Sequence, residues 1–229
     1  MPTPRPSATV VLLRDSDHGP QILFIKRRAG DAFGDAWTFP GGVLDSDEYL
    51  ARNYCRGLAR EKADSLLGVD NALDYYSAVT RELFEEAGVL LGNEAADESI
   101  GSFRDALYAG QLAWTDFLAQ HQLSIACDAL HYFAHWITPT VMPKRWTTRF
   151  FLAQMPEGQD VQPDGTEVVD SIWLTADLAL ENARRGLGKL PYPTRKTLES
   201  FNGLDSIDAY LAWARQCQEN GIPTIQPEM

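Results

Sequence analysis

Residues 8 to 14 (ATVVLLR) and 21 to 27 (QILFIKR) are apolar, β-branched runs, with Asp15, Ser16, Asp17 and Gly19 between them. That pattern predicts two strands joined as a hairpin. AGDAFGDA (29 to 36) predicts a Gly/Asp-rich loop, closed by a turn at WTFPGG. LHYFAHWITP (130 to 139), TTRFFLAQM (147 to 155) and EVVDSIWL (167 to 174) predict three further strands. Residues 47 to 67, rich in Leu, Ala, Arg and Glu, predict helix. From Leu73 to Ala87, Tyr76, Val79, Leu83 and Ala87 recur at helical spacing as one buried stripe, and Gly88 supplies the stop. Residues 96 to 123 predict two short helices around Ala109-Gly110. The tail predicts helices near 175 to 185, 194 to 203 and 205 to 219, with LPYP breaking the first two. Strands mixed with helices on several sides imply a layered α/β domain.

Composition narrows the class. A chain of 229 residues, 45% hydrophobic and 23% charged, suits one globular domain with appendages and excludes wholesale disorder. A net charge of −12 argues against a nucleic-acid backbone as partner. Small phosphorylated ligands stay open, because bound cations make an acidic site attractive to anions. Cys55, Cys127 and Cys217 are far apart and form no CxxC, which reads as ordinary thiols in a reducing compartment. No signal-peptide core and no apolar run of about 20 residues is present, so the expectation is no membrane partner and a cytoplasmic location.

The chemistry lies in RELFEEAG, residues 81 to 88. On a helix Glu82, Glu85 and Glu86 fall at i, i+3, i+4 and share a face bordering the apolar stripe. Like charges at this spacing repel, and negative charge near a helix C-terminus is disfavoured. The cluster therefore asks for a cation, and hard carboxylate oxygens suit Mg2+ or Mn2+. Taken alone, three such acids are more often a solvated face. Their surroundings shift that reading: Arg81 precedes them, Gly88 and Val89 follow, and upstream FPGGVLDSDE gives a Gly-Gly turn with five residues between Gly42 and Glu48.

These residues resemble the Nudix box, which reads G, five residues, E, seven residues, then R-E-U-x-E-E-x-G-U with U bulky and apolar. Gly42 and Glu48 match the first half, and Arg81, Glu82, Leu83, Glu85, Glu86, Gly88 and Val89 match the second. One departure is large: 32 residues separate Glu48 from Arg81. An insertion at this point, with FRDAL, PKRWTTRFFLA and EVVDSIWLT downstream, resembles the branch of peroxisomal coenzyme A diphosphatases. The closing PEM is not a peroxisomal tripeptide, which fits the cytoplasmic expectation.

The resemblance implies a Nudix-type α/β/α sandwich with a mixed sheet over residues 1–204, carrying a helical insertion at about 49–73 and helices at about 96–123. A helical tail, 205–229, would pack on the same domain. It implies metal-dependent hydrolysis of the diphosphate bond in a nucleoside diphosphate linked to another moiety, coenzyme A or an acyl-CoA being favoured. Glu82, Glu85 and Glu86 with the Gly41 carbonyl would hold the ions. Glu82, Glu85, Glu48 and Arg81 would form the catalytic set with Glu167 from a loop across the cleft, Asp164 being second choice there. Arg28, Arg145 and Gly42 would meet substrate, and Arg27 and Lys144 stand level with the two arginines as candidates.

Other readings stand beside these. His131 and His135 have the spacing of two zinc ligands on a helix, but their aromatic strand context favours packing or hydrogen bonding. Trp37, Phe39 and Trp136 read as core rather than base-stacking surfaces. NADH, ADP-ribose and related dinucleotides remain open as substrates, as does a non-catalytic nucleotide-binding sensor, and a homodimer is not excluded. The insertion is the expected determinant of substrate choice, so replacing 49–73 by a linker should change preference more than metal dependence.

Overall fold

The structure, a computed structural model, describes residues 2–30, 34–92 and 98–228, without side chains at 98–100. Part of the expected 29–36 loop and residues 96 and 97 of the first expected helix lie outside this range. In chain order the elements begin with strands β1 (Arg5–Arg14), β2 (Gln21–Arg27), β3 (Trp37–Thr38) and β4 (Gly41–Val43). Helix α1 (Glu48–Ala51), strand β5 (Cys55–Arg56) and helices α2 (Arg60–Leu67) and α3 (Leu73–Ala87) follow. Next come α4 (Arg104–Tyr108), α5 (Trp114–Gln120), β6 (Ile125–Ala126), β7 (His131–Ile137), β8 (Trp146–Gln154) and β9 (Val168–Leu174). Helices α6 (Ala176–Arg184), α7 (Tyr192–Ser200) and α8 (Ile207–Asn220) precede a short β10 (Thr224–Ile225).

The main sheet runs β10-β7-β8-β1-β2-β3, with β4 added to β1 and β9 to β2. It is mixed: β1 pairs parallel with β8 and antiparallel with β2 and β4. Strand β1 alternates strictly. Ala8, Val10 and Leu12 face α3 and the insertion, whereas Val11 and Leu13 face α6 to α8. The sheet therefore sits between two helical layers, as the α/β/α expectation has it. Helix α3 buries the predicted stripe, with Tyr76, Val79, Leu83 and Ala87 at most 1% exposed. Full burial of a Leu or Val side chain contributes about 1.5–3 kcal/mol. Gly88 ends the helix at φ 73°, a left-handed conformation that favours glycine.

Two sequence expectations need correction. Residues 47 to 67 are not one helix but α1, a 3-10 turn, β5 and α2. The break occurs where β5 pairs with β6 and Gly57 takes φ 78°; a Cβ there would lie 2.2 Å from the Asp128 carboxylate. Nor is the insertion a looped-out appendage. Ala51, Cys55, Ala63, Leu67 and Ala72 are buried in the core that α3 shares with the sheet. The tail also joins a core: Ile207, Tyr210 and Ala214 of α8 pack with Phe133 and Phe150. His135 bonds Thr224 at 2.8 Å and Thr147 at 2.7 Å, in line with the hydrogen-bonding reading. Among the described residues no helix is long and apolar enough to cross a membrane.

Candidate active site

Strands β1 and β2 pair only at their turn end, Leu13 with Ile22 and Arg14 with Gln21. Towards its start β1 pairs instead with β4, setting Ala8 opposite Gly42 and Thr9 opposite Gly41. The opening between the strands thus places the Gly-Gly backbone under the C-terminal half of α3. Glycine is required at Gly41, and at Gly42 it permits a close approach of Glu82. A Cβ on Gly41, which has φ 148°, would lie 2.3 Å from the Ala8 carbonyl oxygen, and one on Gly42 would lie 2.3 Å from the Glu82 carboxylate.

Five carboxylates gather here around two guanidiniums. Arg81 donates to Glu48 at 2.8 Å, to Glu85 at 2.9 Å and to Glu82 at 3.0 Å, and also to the Val43 carbonyl at 3.1 Å. Glu48, 1% exposed, accepts a further 2.6 Å bond from the Asp45 N–H, so the displaced first half of the motif closes against the second. Arg27 forms the other group. It bonds Glu86, Glu167 and the Gly41 carbonyl, the last at 2.5 Å. Glu86 is 2% exposed and also accepts from the Gly41 N–H at 2.8 Å.

The electrostatics follow from crowding. Burial pushes the Glu85 carboxyl up to about 7 against the pull of Arg81. Burial likewise raises Glu86 above the usual carboxylate range, opposed by Arg27 and the Gly41 N–H, and raises Glu48, opposed by Arg81. Burial alone would lower Arg81, but Glu82, Glu48 and Glu85 outweigh it and keep the guanidinium charged. With five carboxylates and two arginines, the site is short of positive charge. Among the described residues no three acidic, His or Cys side chains already converge as a cation cage. The donor set remains all hard oxygen, the chemistry that suits Mg2+ or Mn2+.

The loop before β9 supplies the fifth acid. Glu167, with its side chain 34% exposed, reaches the site through Arg27. Asp164 instead shapes that loop, accepting backbone N–H groups of Thr166, Glu167 and Val168 at 2.5, 2.7 and 3.1 Å. Arg28 is exposed and bonds the Gly165 carbonyl at 3.1 Å, away from the carboxylates. Arg145 is buried beside the start of β1, bonding the Thr138 and Pro2 carbonyls at 3.0 and 3.1 Å. Neither joins the cluster. Arg27 is the basic residue of this stretch that reaches the carboxylates: Leu23 and Ile25 of β2 face α3, and Arg27 continues that face. Arg104, which the sequence did not mark, donates to the Glu85 carbonyl at 2.8 Å and satisfies the end of α3.

Comparisons with known proteins bear on the family and the fold. The chain matches the family described as NUDT19 Nudix domain over residues 58–190, more than half its length. Gly42 and Glu48 lie ahead of that span, so their membership of the site rests on the contacts above. The chain is 26% identical over 191 residues to the Caenorhabditis elegans protein called nudix hydrolase 7, covering 82% of this chain and 57% of that protein. It is 22% identical over 218 residues to acyl-coenzyme A diphosphatase NUDT19 of Xenopus laevis, covering 76% of this chain and 57% of that one. The chain thus spans little more than half the length of either relative. Its fold is similar to a NUDIX hydrolase crystal structure from Alicyclobacillus acidocaldarius, with TM-score 0.74 and 22% identity over 93% of this chain and 97% of that one.

Proposed function

The chain belongs to the Nudix hydrolase family through its NUDT19-type domain, and from that premise we propose that it cleaves the diphosphate bond of a nucleoside diphosphate linked to another moiety, using Mg2+ or Mn2+. The observation that carries this is the gathering of Glu48, Glu82 and Glu85 on Arg81 and of Glu86 and Glu167 on Arg27, with Glu82 against Gly42 and Glu86 on the Gly41 N–H. Coenzyme A or an acyl-CoA is the favoured substrate, supported by the printed name of the Xenopus laevis relative.

Glu82, Glu85, Glu86 and the Gly41 carbonyl would hold the ions. A bound divalent ion supplies charge neutralisation on the bridging phosphate oxygens and polarises the phosphorus towards attack. Arg81 orients Glu82 and Glu85 and ties them to Glu48. Glu167, the most exposed of these acids that bond the two arginines, is placed to accept a proton from the attacking water, with Glu82 as the alternative. Residues 1–204 would form the hydrolase domain and 205–229 a tail packed on it.

The test is purified protein with Mg2+ or Mn2+ against coenzyme A, an acyl-CoA, NADH and ADP-ribose. Release of a phosphopantetheine and adenosine 3',5'-bisphosphate from coenzyme A, or of the acylated phosphopantetheine from its acyl form, supports the reading. Tight binding of one compound with no product in either metal would instead favour a sensor.

A further inference from the structure

We propose that Arg27 is an internal competitor for the divalent cation, and that an ion enters the site only as this guanidinium leaves it. The inference rests on the metal-dependent reading above and adds a role for a residue that the box motif does not include. The side-chain hydrogen bonds of Arg27 described here end on Glu86, Glu167 and the carbonyl of Gly41. These oxygens come from three separate segments, and two of them belong to the proposed ion-binding set. Arg81 also touches that set, but it takes one oxygen each of Glu82 and Glu85, whereas Arg27 and the Gly41 N–H together take both oxygens of Glu86. Arg81 holds Glu48, Glu82 and Glu85, shares no acceptor with Arg27, and is fixed besides by the Val43 carbonyl.

Two cations cannot use one set of oxygens. A guanidinium accepts oxygens spread around a planar fork, whereas Mg2+ draws its ligands to about 2.0–2.1 Å in an octahedron. Arg27 is therefore a positioning residue that pairs the desolvated Glu86. The cost falls on cation affinity, because the apparent affinity is reduced by the fraction of protein in which the oxygens are free.

The test is calorimetric titration of the full chain with Mn2+, without substrate, for the wild type and for Arg27→Ala, Arg28→Ala and Glu86→Gln. Arg27→Ala should bind Mn2+ at least about tenfold tighter. Arg28→Ala removes the same charge one residue away, from an exposed and screened side chain, and should stay within about twofold of wild type. Arg27→Gln, which removes the charge but keeps bulk and hydrogen-bonding groups, should tighten binding as well and carries the test if the alanine variant misfolds. Equal or weaker binding by both Arg27 variants would overturn the competition, as would an equal gain in Arg28→Ala. Mn2+ binding that Glu86→Gln abolishes and Arg27→Ala leaves unchanged overturns the competition alone. Absence of Mn2+ binding in every form overturns the metal reading with it.

Discussion

Arg81 Nε donates to Glu48 Oε1 at 2.8 Å across 33 positions of the chain, with both side chains buried. This one bond joins the two halves of the Nudix motif that the insertion separates. Removing Arg81 would strand Glu48 in the core without its countercharge, while Glu82 and Glu85 would face each other unscreened. Arg81→Met should therefore lower stability by about 3–5 kcal/mol, read from urea unfolding midpoints. Adding Glu48→Gln should recover part of the loss, because the orphaned charge is then gone. A midpoint unmoved by Arg81→Met would contradict this account.

Turnover should depend on Glu86 far more than stability does. Glu86→Gln keeps shape but loses the charge, and should lower the metal-dependent rate by at least about 100-fold. Glu167→Gln should cut the rate by a similar factor of about 10²–10⁴ if that carboxylate takes the proton. A Glu167→Gln enzyme with wild-type kcat would pass the role to Glu82.

Gly42 permits a close approach of Glu82, and its backbone is not left-handed. Alanine should fit the chain while pushing the Glu82 carboxylate aside. Gly42→Ala should lower kcat at least about tenfold, with a melting temperature near that of wild type. Retained kcat would mean that Glu82 moves without consequence.

Acid should weaken the fold through His135. Burial, reinforced by Arg149, lowers this imidazole to about 4, whereas a free histidine titrates near 6.5. Between those values the unfolded chain binds a proton that the folded chain does not. The neutral histidine's contribution is complete above about 6.5 and declines as pH falls towards 4, by on the order of 1–2 kcal/mol at pH 5. His131 is also lowered by burial and adds in the same direction. Denaturation midpoints at pH 7 and pH 5 should converge in His135→Gln relative to wild type.

The insertion cannot be exchanged for a linker, since Ala51, Cys55, Ala63 and Leu67 belong to the core. Deleting 49–73 should unfold the protein. Its influence on substrate choice is better read from Tyr49 and Leu50, which are 57% and 41% exposed directly after Glu48. Tyr49→Ala and Leu50→Ala should change the kcat/KM ratio of acyl-CoA to coenzyme A by a factor of about 10 or more, while metal dependence stays constant. An unchanged ratio would remove this segment from substrate selection.

Helix α3 and its glutamates were legible because a 3.6-residue apolar repeat, a terminal glycine and the acidic spacing all coincide in one continuous segment. The strands β1, β2, β7, β8 and β9 were legible for a similar reason. What escaped depends on partners distant in sequence. The break at Cys55-Arg56 exists because Ile125-Ala126 pairs with it, and β10 exists because His135 and Trp136 receive it. The choice between Arg27 and Arg28 turned on the face of a strand, and alternation from Ile25 would have decided it. Arg145 drew notice for its charge, yet its carbonyl partners use it to fasten a strand end.

The parallel pairing of β1 with β8 sets a timetable for the nascent chain. Strand β1 emerges early, but Arg5 pairs with Trp146, about 140 residues later. At translation rates of about 5–20 residues per second, one edge of an apolar strand stays open for on the order of ten seconds. Arg27 and Glu167 are separated by a comparable length of chain. The cluster around Arg27 therefore assembles only after residue 167 has been made, and a chain interrupted before β8 carries an open edge and an incomplete cluster.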